Sequence, residues 1–422
     1  AQATATSTKS KNVCSGHRVT VPFSSRSLLP LNHRHGPCSP FPSSERRVPS
    51  MSDVLRRDRL RADSIWRGLS GRSSAVAKRG DDGATVPTTL GKSLNILGYV
   101  VTVGLGTPAV NQTVQVDTGS DLSWVQCRRC PVPTSTCHRQ NDPLFDPAKS
   151  STYSAVPCGS AACRSLGDDL AAGGCSGHRA CRFSVTYGDG SNTTGTYSAD
   201  KLTLSSSSGY AVDGFRFGCS HAAQRFGADR TAGLLGLGGG NTSLVSQTKE
   251  KAFSYCLQAS ASYSGFLSLG APPRSGFALT PMLRRSNTVS SWPGGASASP
   301  RAIMDSGIVV TQLPAAAYRA LRAAFRKEMR AYPRVAPSSK IFDTCYNFNM
   351  SSEVKVPSVA LVFDRGATVE LDRSGIIMDG CLAFTTTVDD ASFGAIGNVQ
   401  QRTFEVLYDV GGGAVGFRPG AC

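Results

Sequence analysis

Two short motifs, one in each half of the chain, place an aspartate before a hydroxyl residue and a glycine. They are Asp117-Thr118-Gly119-Ser120 and Asp305-Ser306-Gly307. Each aspartate follows a short apolar run, so both are expected where a buried strand ends in a turn. Glycine lets the backbone turn tightly beneath a carboxylate, and each hydroxyl can donate to the main chain of an opposing loop. The repetition predicts two loops that face each other.

Such a pair of loops would carry acid–base chemistry. Two carboxylates in contact cannot both ionise readily, so the pair keeps one proton and titrates as a unit. The ionised member can take a proton from a water that attacks a peptide carbonyl, while the protonated member donates to the carbonyl oxygen. No covalent intermediate is required. For either motif alone, the alternative is an ordinary Asp-containing turn.

Other motifs in the chain strengthen the prediction of two facing aspartate loops. Trp124 follows the first aspartate closely, and Tyr187-Gly188-Asp189-Gly190-Ser191 is a Gly-rich turn that predicts a mobile hairpin over a cleft. An apolar pair ending in glycine follows each aspartate, at Leu234-Leu235-Gly236 and at Ala395-Ile396-Gly397. A phosphate-loop interpretation of Gly236–Gly240 is not favoured, because no Gly-Lys-Ser/Thr follows.

Together these motifs resemble the pepsin family of aspartic proteases, and the cysteine-rich region narrows the resemblance to its plant nepenthesin-like branch. The resemblance covers most of the chain and implies an all-β dominated, bilobal pepsin-like fold, two β lobes with short helices, preceded by a prosegment. Residues 1–90 would be the prosegment and processing linker, 91–275 the N-terminal lobe and 276–422 the C-terminal lobe. A chain of 422 residues also exceeds one ordinary core.

The resemblance implies an endopeptidase that works in acid on polypeptide substrates and uses no metal or cofactor. Asp117 and Asp305 would be catalytic, and Ser120 would be hydrogen-bonded to Asp117. The hairpin at 187–191 would be the flap that binds substrate. The supporting residues would be Thr118, Gly119, Ser120, Ser306 and Gly307, and the flap residues would be Tyr187, Gly188, Asp189 and Gly190.

The basic charge lies mainly in the first 80 residues, which carry 15 Lys and Arg against 4 Asp and Glu, or +11 of the total +16. The remainder is only +5, which argues against a nucleic-acid partner. We expect loop at the start of this segment and a basic helix over 52–69. As a prosegment, these residues would occupy the cleft, pair with the carboxylates of the cleft and leave in acid. The alternative is that the helix is an amphipathic surface helix.

Fourteen cysteines indicate an oxidising compartment. The resemblance implies disulfides between Cys345 and Cys381 and between Cys256 and Cys422, with the remaining pairings confined to the N-terminal lobe. The alternative, zinc held by Cys127, Cys130 and Cys137 or His138, is less favoured. The candidates in the N-terminal lobe are Cys127, Cys130, Cys137, Cys158, Cys163, Cys175, Cys181 and Cys219.

Four N-glycosylation sequons begin at Asn111, Asn192, Asn241 and Asn349. Together with the cysteines they predict a secreted protein of the apoplast, with a vacuole or another acidic compartment as alternatives. A signal peptide is expected to have been removed. The sequence contains no run of 18 apolar residues, so no membrane span is predicted. The protein is expected to be a monomer.

Two positions depart from the family pattern. Family members usually carry threonine where this chain has Ile308, so one hydrogen bond to Asp305 is missing, a loss of about 1.5–3 kcal/mol. We expect this to raise the pKa of Asp305 and to slow the reaction by roughly tenfold or more. Relative to the family pattern, a hairpin of the second lobe is also shortened over 282–300, which would expose a sheet edge. Both departures favour the alternative of a catalytically weak or inactive binding, inhibitor or regulatory protein.

Overall fold

The structure is a computed structural model of the 422-residue chain. It describes residues 28–33, 38–39, 51–69, 98–128, 136–167, 170, 175, 179–205, 210–226, 230–259, 264–270, 274–282, 302–337, 342–349, 354–390 and 392–421. Short strands dominate these residues and helices are few, as expected for the predicted all-β, pepsin-like fold.

The strands and helices have the following bounds. They are β1 Leu28–His33, α1 Met51–Leu69, β2 Tyr99–Leu105, β3 Val110–Asp117, β4 Trp124–Gln126, β5 Ser154–Ala155, α2 Ala161–Arg164, β6 Arg182–Thr186, β7 Asn192–Ser205, β8 Tyr210–Gln224, β9 Gly233–Gly236, β10 Ala252–Cys256, β11 Ser264–Leu269, β12 Ala278–Pro281, β13 Ala302–Met304, β14 Thr311–Leu313, α3 Ala315–Glu328, β15 Arg334–Val335, β16 Cys345–Tyr346, β17 Ala360–Val362, β18 Thr368–Glu370, α4 Arg373–Ile376, β19 Ile377–Met378, β20 Cys381–Leu382, β21 Phe384–Thr386, β22 Gly394–Ile396, β23 Phe404–Asp409 and β24 Ala414–Pro419.

One large sheet runs through both halves of the chain. Its strand order is β12-β24-β23-β10-β11-β1-β2-β3-β9-β4-β8-β7-β5, with β6 paired to β7. A four-stranded sheet of order β13-β22-β14-β21 lies in the second half, beside two smaller sheets, β15-β16-β20-β19 and β17-β18. Because β10 pairs antiparallel with β23, the large sheet joins the two halves.

The N-terminal segment contributes a strand that the sequence interpretation missed. We expected loop before the first helix, but β1 lies between β11 and β2, and five of its residues pair with β11. Leu29 and Leu31, two positions apart on one face, are 2% and 0% exposed. This period of two buries both leucines in the core beneath the sheet, so the loop prediction is wrong for residues 28–33.

The sequence predicts two helices, over 52–69 and over 314–329, and both are present. Helix α1 begins one residue before the predicted range and ends with it. Helix α3 begins at Ala315 with Pro314 as its N-cap, and it buries Tyr318 and Phe325. These side chains lie on one face, as the 3.6-residue period predicts.

Disulfides staple both halves of the chain. The structure links Cys127 to Cys219, Cys158 to Cys175, Cys163 to Cys181 and Cys345 to Cys381. Cys137 and Cys256 are also disulfide-bonded. Cys422, the expected partner of Cys256, lies outside the described residues, as does Cys130. With Cys127 and Cys137 both in disulfides, neither thiol is available for the zinc alternative.

Two other features bear on the sequence expectations. Residues 283–300, where a hairpin is expected to be shortened, lie outside the described part of the chain. None of the helices among the described residues is long and apolar enough to cross a membrane.

Candidate active site

Each candidate aspartate lies at the end of a strand that pairs in parallel with one of the apolar, glycine-ended runs. Strand β3 pairs with β9, which sets Asp117 beside Gly236. Strand β13 pairs with β22, and the N–H of Asp305 donates to the carbonyl oxygen of Ile396 at 3.0 Å. The internal repetition in the sequence is therefore a repetition of structure, and both aspartates are 0% exposed.

The hydroxyl residues after the two aspartates lock the loops together. Thr118 Oγ1 donates to the Met304 carbonyl at 3.1 Å and accepts from the Ser306 N–H at 2.9 Å. Ser306 Oγ donates to the Val116 carbonyl at 3.3 Å and accepts from the Thr118 N–H at 3.1 Å. Each hydroxyl thus braces the main chain of the opposing loop, as predicted from the sequence.

Glycine is required after each hydroxyl residue because the opposing carboxylate lies against the backbone. A Cβ on Gly119 would lie 2.6 Å from Asp305 Oδ2, and a Cβ on Gly307 would lie 2.8 Å from Asp117 Oδ1. These separations are below van der Waals contact, so any side chain there would push the carboxylates apart. The same distances show that the two loops bring Asp117 and Asp305 face to face.

The two carboxylates are supported unequally. Asp117 accepts hydrogen bonds from Ser120 Oγ at 2.5 Å and from the Gly119 N–H at 2.9 Å. Asp305 accepts from the Gly307 N–H at 2.8 Å, and the position equivalent to Ser120 is the fully buried Ile308. Burial raises the pKa of Asp305, and the neighbouring Asp117 adds to this effect against the attraction of Arg61.

The flap, residues 187–191, is a tight turn between β6 and β7. The Gly190 N–H donates to the Tyr187 carbonyl at 2.9 Å, and Gly190 has a φ of +85°, which favours glycine. Trp124 Nε1 donates to the Tyr187 hydroxyl at 2.7 Å. Asp189 accepts from the N–H and the hydroxyl of Ser191. These bonds fix the turn and tie its tyrosine to the strand that follows the first aspartate loop.

A single arginine of helix α1 bridges the two aspartates. Arg61 Nε donates to Asp305 Oδ2 at 2.7 Å, while its Nη2 donates to Asp305 Oδ1 at 3.1 Å and also to Asp117 Oδ1. A planar guanidinium fits such a fork of carboxylates and favours their ionised forms. Helix α1 therefore lies in the cleft, and for its described side chains the surface-helix alternative is wrong.

Three further residues of α1 hold it there. Asp58 Oδ2 accepts from the N–H groups of Val309 and Val310 at 2.7 and 2.9 Å. Arg57 Nη1 lies 3.9 Å from Asp189 Oδ2 in the flap, and Leu55 packs against Val309 and Val310 at 2% exposure. Burial raises the pKa of Asp58 to about 7, against the lowering effect of its two N–H donors and Arg57.

A cavity remains beside α1 and beneath the flap. It encloses about 710 Å³, part of it open to solvent, and it extends from the flap to the first aspartate's strand. Its walls include Gln115, Trp124, Tyr187, Phe226 and Leu234.

The sequence singled out most of this site but not all of it. The missed residues are Asp58 and Gln115, and Arg61 stood unmarked among the arginines of 56–61. The spacing of positions 57, 58 and 61 on one helical face could have indicated a shared contact. Of the sequons, Asn111, Asn241 and Asn349 are exposed, whereas Asn192 is half-buried next to the flap. Among the described residues, no cluster of His, Cys, Asp or Glu could hold a metal ion.

Known proteins are similar to this chain in sequence and in fold. The family described as "Xylanase inhibitor N-terminal" matches residues 99–271, and "Xylanase inhibitor C-terminal" matches residues 287–419. An aspartyl protease family protein of Arabidopsis thaliana is 39% identical over 94% of this chain and 88% of its own length. The chain belongs to the plant nepenthesin-like branch of the pepsin-type aspartic proteases.

Two further relatives extend this result. Aspartic proteinase nepenthesin-2 of Nepenthes gracilis is 31% identical over 96% of this chain and 95% of its own length. The solved structure of conglutin gamma, a basic 7S globulin from lupine seeds, has a TM-score of 0.58 at 18% identity, covering 76% of this chain and 92% of the globulin. At that identity the globulin supports the fold alone.

Proposed function

We propose that this protein is an aspartic endopeptidase that hydrolyses polypeptides in acid. One observation carries the proposal: the repeated loops bring Asp117 and Asp305 face to face in a buried cleft, and one guanidinium reaches both carboxylates. Each loop also retains the hydroxyl that braces its partner. This is the arrangement that a shared proton requires.

The geometry supports a mechanism without a covalent intermediate. Once Arg61 has left, the carboxylates share one proton, and a water between them loses a proton to the ionised member as it attacks the peptide carbonyl. The protonated member donates its proton to the carbonyl oxygen. The member that took the proton from water then gives it to the leaving amine as the C–N bond breaks, and a hydroxyl of the tetrahedral intermediate returns its proton to the other aspartate, which restores the shared proton. The interlocked Thr118 and Ser306 hold the two loops still during these transfers, which keeps the reacting atoms aligned.

We further propose that residues 1–90 form a prosegment and processing linker that keep the precursor inactive, with lobes at 91–275 and 276–422. Arg61 occupies both carboxylates, while Asp58 and Arg57 engage the far loop and the flap. Docking favours the doubly ionised aspartate pair, so it weakens when acid returns a proton to that pair. The disulfides and sequons support secretion to the apoplast or another acidic compartment, and the enzyme would act as a monomer.

A cleft-binding protein without strong activity is the second candidate. Ile308 favours it, because Asp305 lacks the hydroxyl donor that Asp117 has in Ser120. The xylanase-inhibitor description of the matching family agrees with such a role.

Acid activation of the purified precursor separates the two candidates. At about pH 3 to 4 the prosegment should be lost and a denatured protein substrate should be cleaved, with inhibition by pepstatin. Asp117→Asn and Asp305→Asn precursors are the matched controls and should remain uncleaved. Absence of cleavage by a folded, monodisperse wild type would support the binding protein instead.

A further inference from the structure

A polar side chain without a partner lies in the cavity beneath the flap. Gln115 is 6% exposed and lines this cavity. Within the described part of the molecule its side-chain amide makes no hydrogen bond, whereas Trp124, Asp189 and Ser191 on the same walls are bonded. Its amide atoms are not among the enclosed polar atoms that lack a partner, so they open onto the cavity, where a bound ligand would cover them and replace water as their partner.

The strand pattern places Gln115 beside the reacting groups. Val114 and Val116 turn into the large core, so Gln115 and Asp117 share the opposite face of β3. Two residues along a strand span about 6.6 Å, so the amide stands one pleat from the first aspartate. A substrate side chain that enters this cavity must therefore belong to a substrate residue next to the scissile bond.

The apolar part of the wall is largely aromatic. Polar and charged residues also line the cavity, three of them on α1: Arg57, Asp58, Arg61, Asp189, Ser191 and Thr231. Gln115 pairs in register with Leu234, and Leu234 pairs with Trp124 across the neighbouring strands, which sets these three side chains in one row. The Phe226 ring lies 5.1 Å from the Trp124 ring and 6.0 Å from the Tyr187 ring, measured between centroids. A wholly polar side chain would leave these rings poorly covered.

We propose that this cavity selects a substrate tyrosine, whose ring packs on the aromatic walls and whose hydroxyl hydrogen-bonds the amide of Gln115. This inference rests on the proposed endopeptidase activity and names its specificity. Phenylalanine fills the same space but leaves the amide unsatisfied, and a site built to bond a hydroxyl discriminates against the analogue that lacks it. Tyrosine should exceed phenylalanine by about tenfold in kcat/KM.

The test uses the full-length precursor after acid activation and four peptides. They are identical except for tyrosine or phenylalanine at one of the two positions flanking the scissile bond. The wild type should favour tyrosine about tenfold at one of these positions. Gln115→Leu should bring that ratio to about one or invert it, and leave the ratio at the other position unchanged. If this variant does not fold, Gln115→Met, which keeps the side chain's length, replaces it.

Each remaining outcome is decisive. A wild-type ratio near one at both positions, with all four peptides cleaved, overturns the assignment of Gln115 and leaves the endopeptidase intact. A tyrosine preference that persists in both Gln115 variants also overturns it. No cleavage of any peptide by the activated wild type overturns the endopeptidase itself, and the specificity with it.

Discussion

Ser120 Oγ lies 2.5 Å from Asp117 Oδ2 and donates a hydrogen bond to it. The equivalent position in the second loop is Ile308, which is fully buried and has no hydroxyl. The aspartate pair is therefore asymmetric: Asp117 has a side-chain donor and a backbone donor, and Asp305 relies on the Gly307 N–H once Arg61 has left. A charge-assisted hydrogen bond of this kind is worth roughly 1.5–3 kcal/mol.

Restoring the missing hydroxyl should improve catalysis. We expect Ile308→Thr to raise kcat by about tenfold, because the new hydroxyl lowers the pKa of Asp305 and orients its carboxylate. Ile308→Val matches threonine in shape without the hydroxyl and is the control. The measurement is kcat on a peptide substrate across the acid range. Equal kcat values for the Thr and Val variants would show that the hydroxyl is not what limits the wild type.

Removing the arginine that bridges the aspartates should release the precursor from inhibition. Truncating one partner of a buried charge network costs about 3–5 kcal/mol, so Arg61→Ala should shift the docking equilibrium on the order of 10²-fold or more. At a mildly acidic pH at which the wild-type precursor stays latent, this variant would then cleave peptides. Arg59→Ala, on an exposed position of the same helix, is the matched control and should stay latent. Equal latency in both variants would mean that Arg61 does not hold α1 in the cleft.

Asp58 of α1 should oppose release of the helix in acid. Burial raises the pKa of Asp58 from 3.8 to about 7 in the docked helix, and in the released segment the carboxyl regains its ordinary value. As pH falls through 7 the docked form takes up a proton first. As pH falls from above 7 to about 3.8, Asp58 therefore adds increasing stability to the docked helix. This stability is lost as pH rises through 7.

The direction of this pH effect can be tested with Asp58→Asn. Asparagine stays neutral and still offers an oxygen to the Val309 and Val310 N–H groups, so it removes the pH-dependent contribution and binds more tightly at neutral pH. The rate of prosegment loss should rise more steeply between about pH 7 and 4 in the variant than in the wild type. Rate profiles are measured for the wild type, Asp58→Asn and the exposed-site control Arg59→Ala. Parallel profiles in all three would refute a role for Asp58 in the pH response.

Local patterns predicted the two aspartate loops, the turn at 187–191 and both helices because each depends on residues close in sequence. The paired Asp-hydroxyl-glycine motifs need tight turns, and α3 follows a helical period that brings Tyr318 and Phe325 to one face. Strand β1 was missed because its pairing with β11 joins residues more than 200 positions apart, and nothing local specifies such a partner. Its alternating leucines could still have indicated a half-buried strand.

The contacts of α1 were harder to predict than its existence. The basic segment was expected to pair with cleft carboxylates, but four arginines lie within 56–61 and only the docked orientation distinguishes Arg61 from Arg59. Asp58 runs against the charge argument altogether, because an acidic residue was not expected to enter an acidic cleft. It does so by accepting from the backbone N–H groups of Val309 and Val310. Strand alternation, in contrast, would have placed Gln115 on the face of Asp117.

The hydrogen bond between Trp124 and the flap should control how the flap closes over substrate. Tyr187→Phe removes the acceptor of the 2.7 Å bond and leaves the buried indole N–H unpaired, so we expect kcat/KM to fall by about tenfold. Trp124→Phe removes the donor, although it also reduces packing against Phe226. A double-mutant cycle on kcat/KM separates these effects, because the double variant should be little worse than the more damaging single variant. Fully additive losses would mean that the two residues act independently and that this bond does not position the flap.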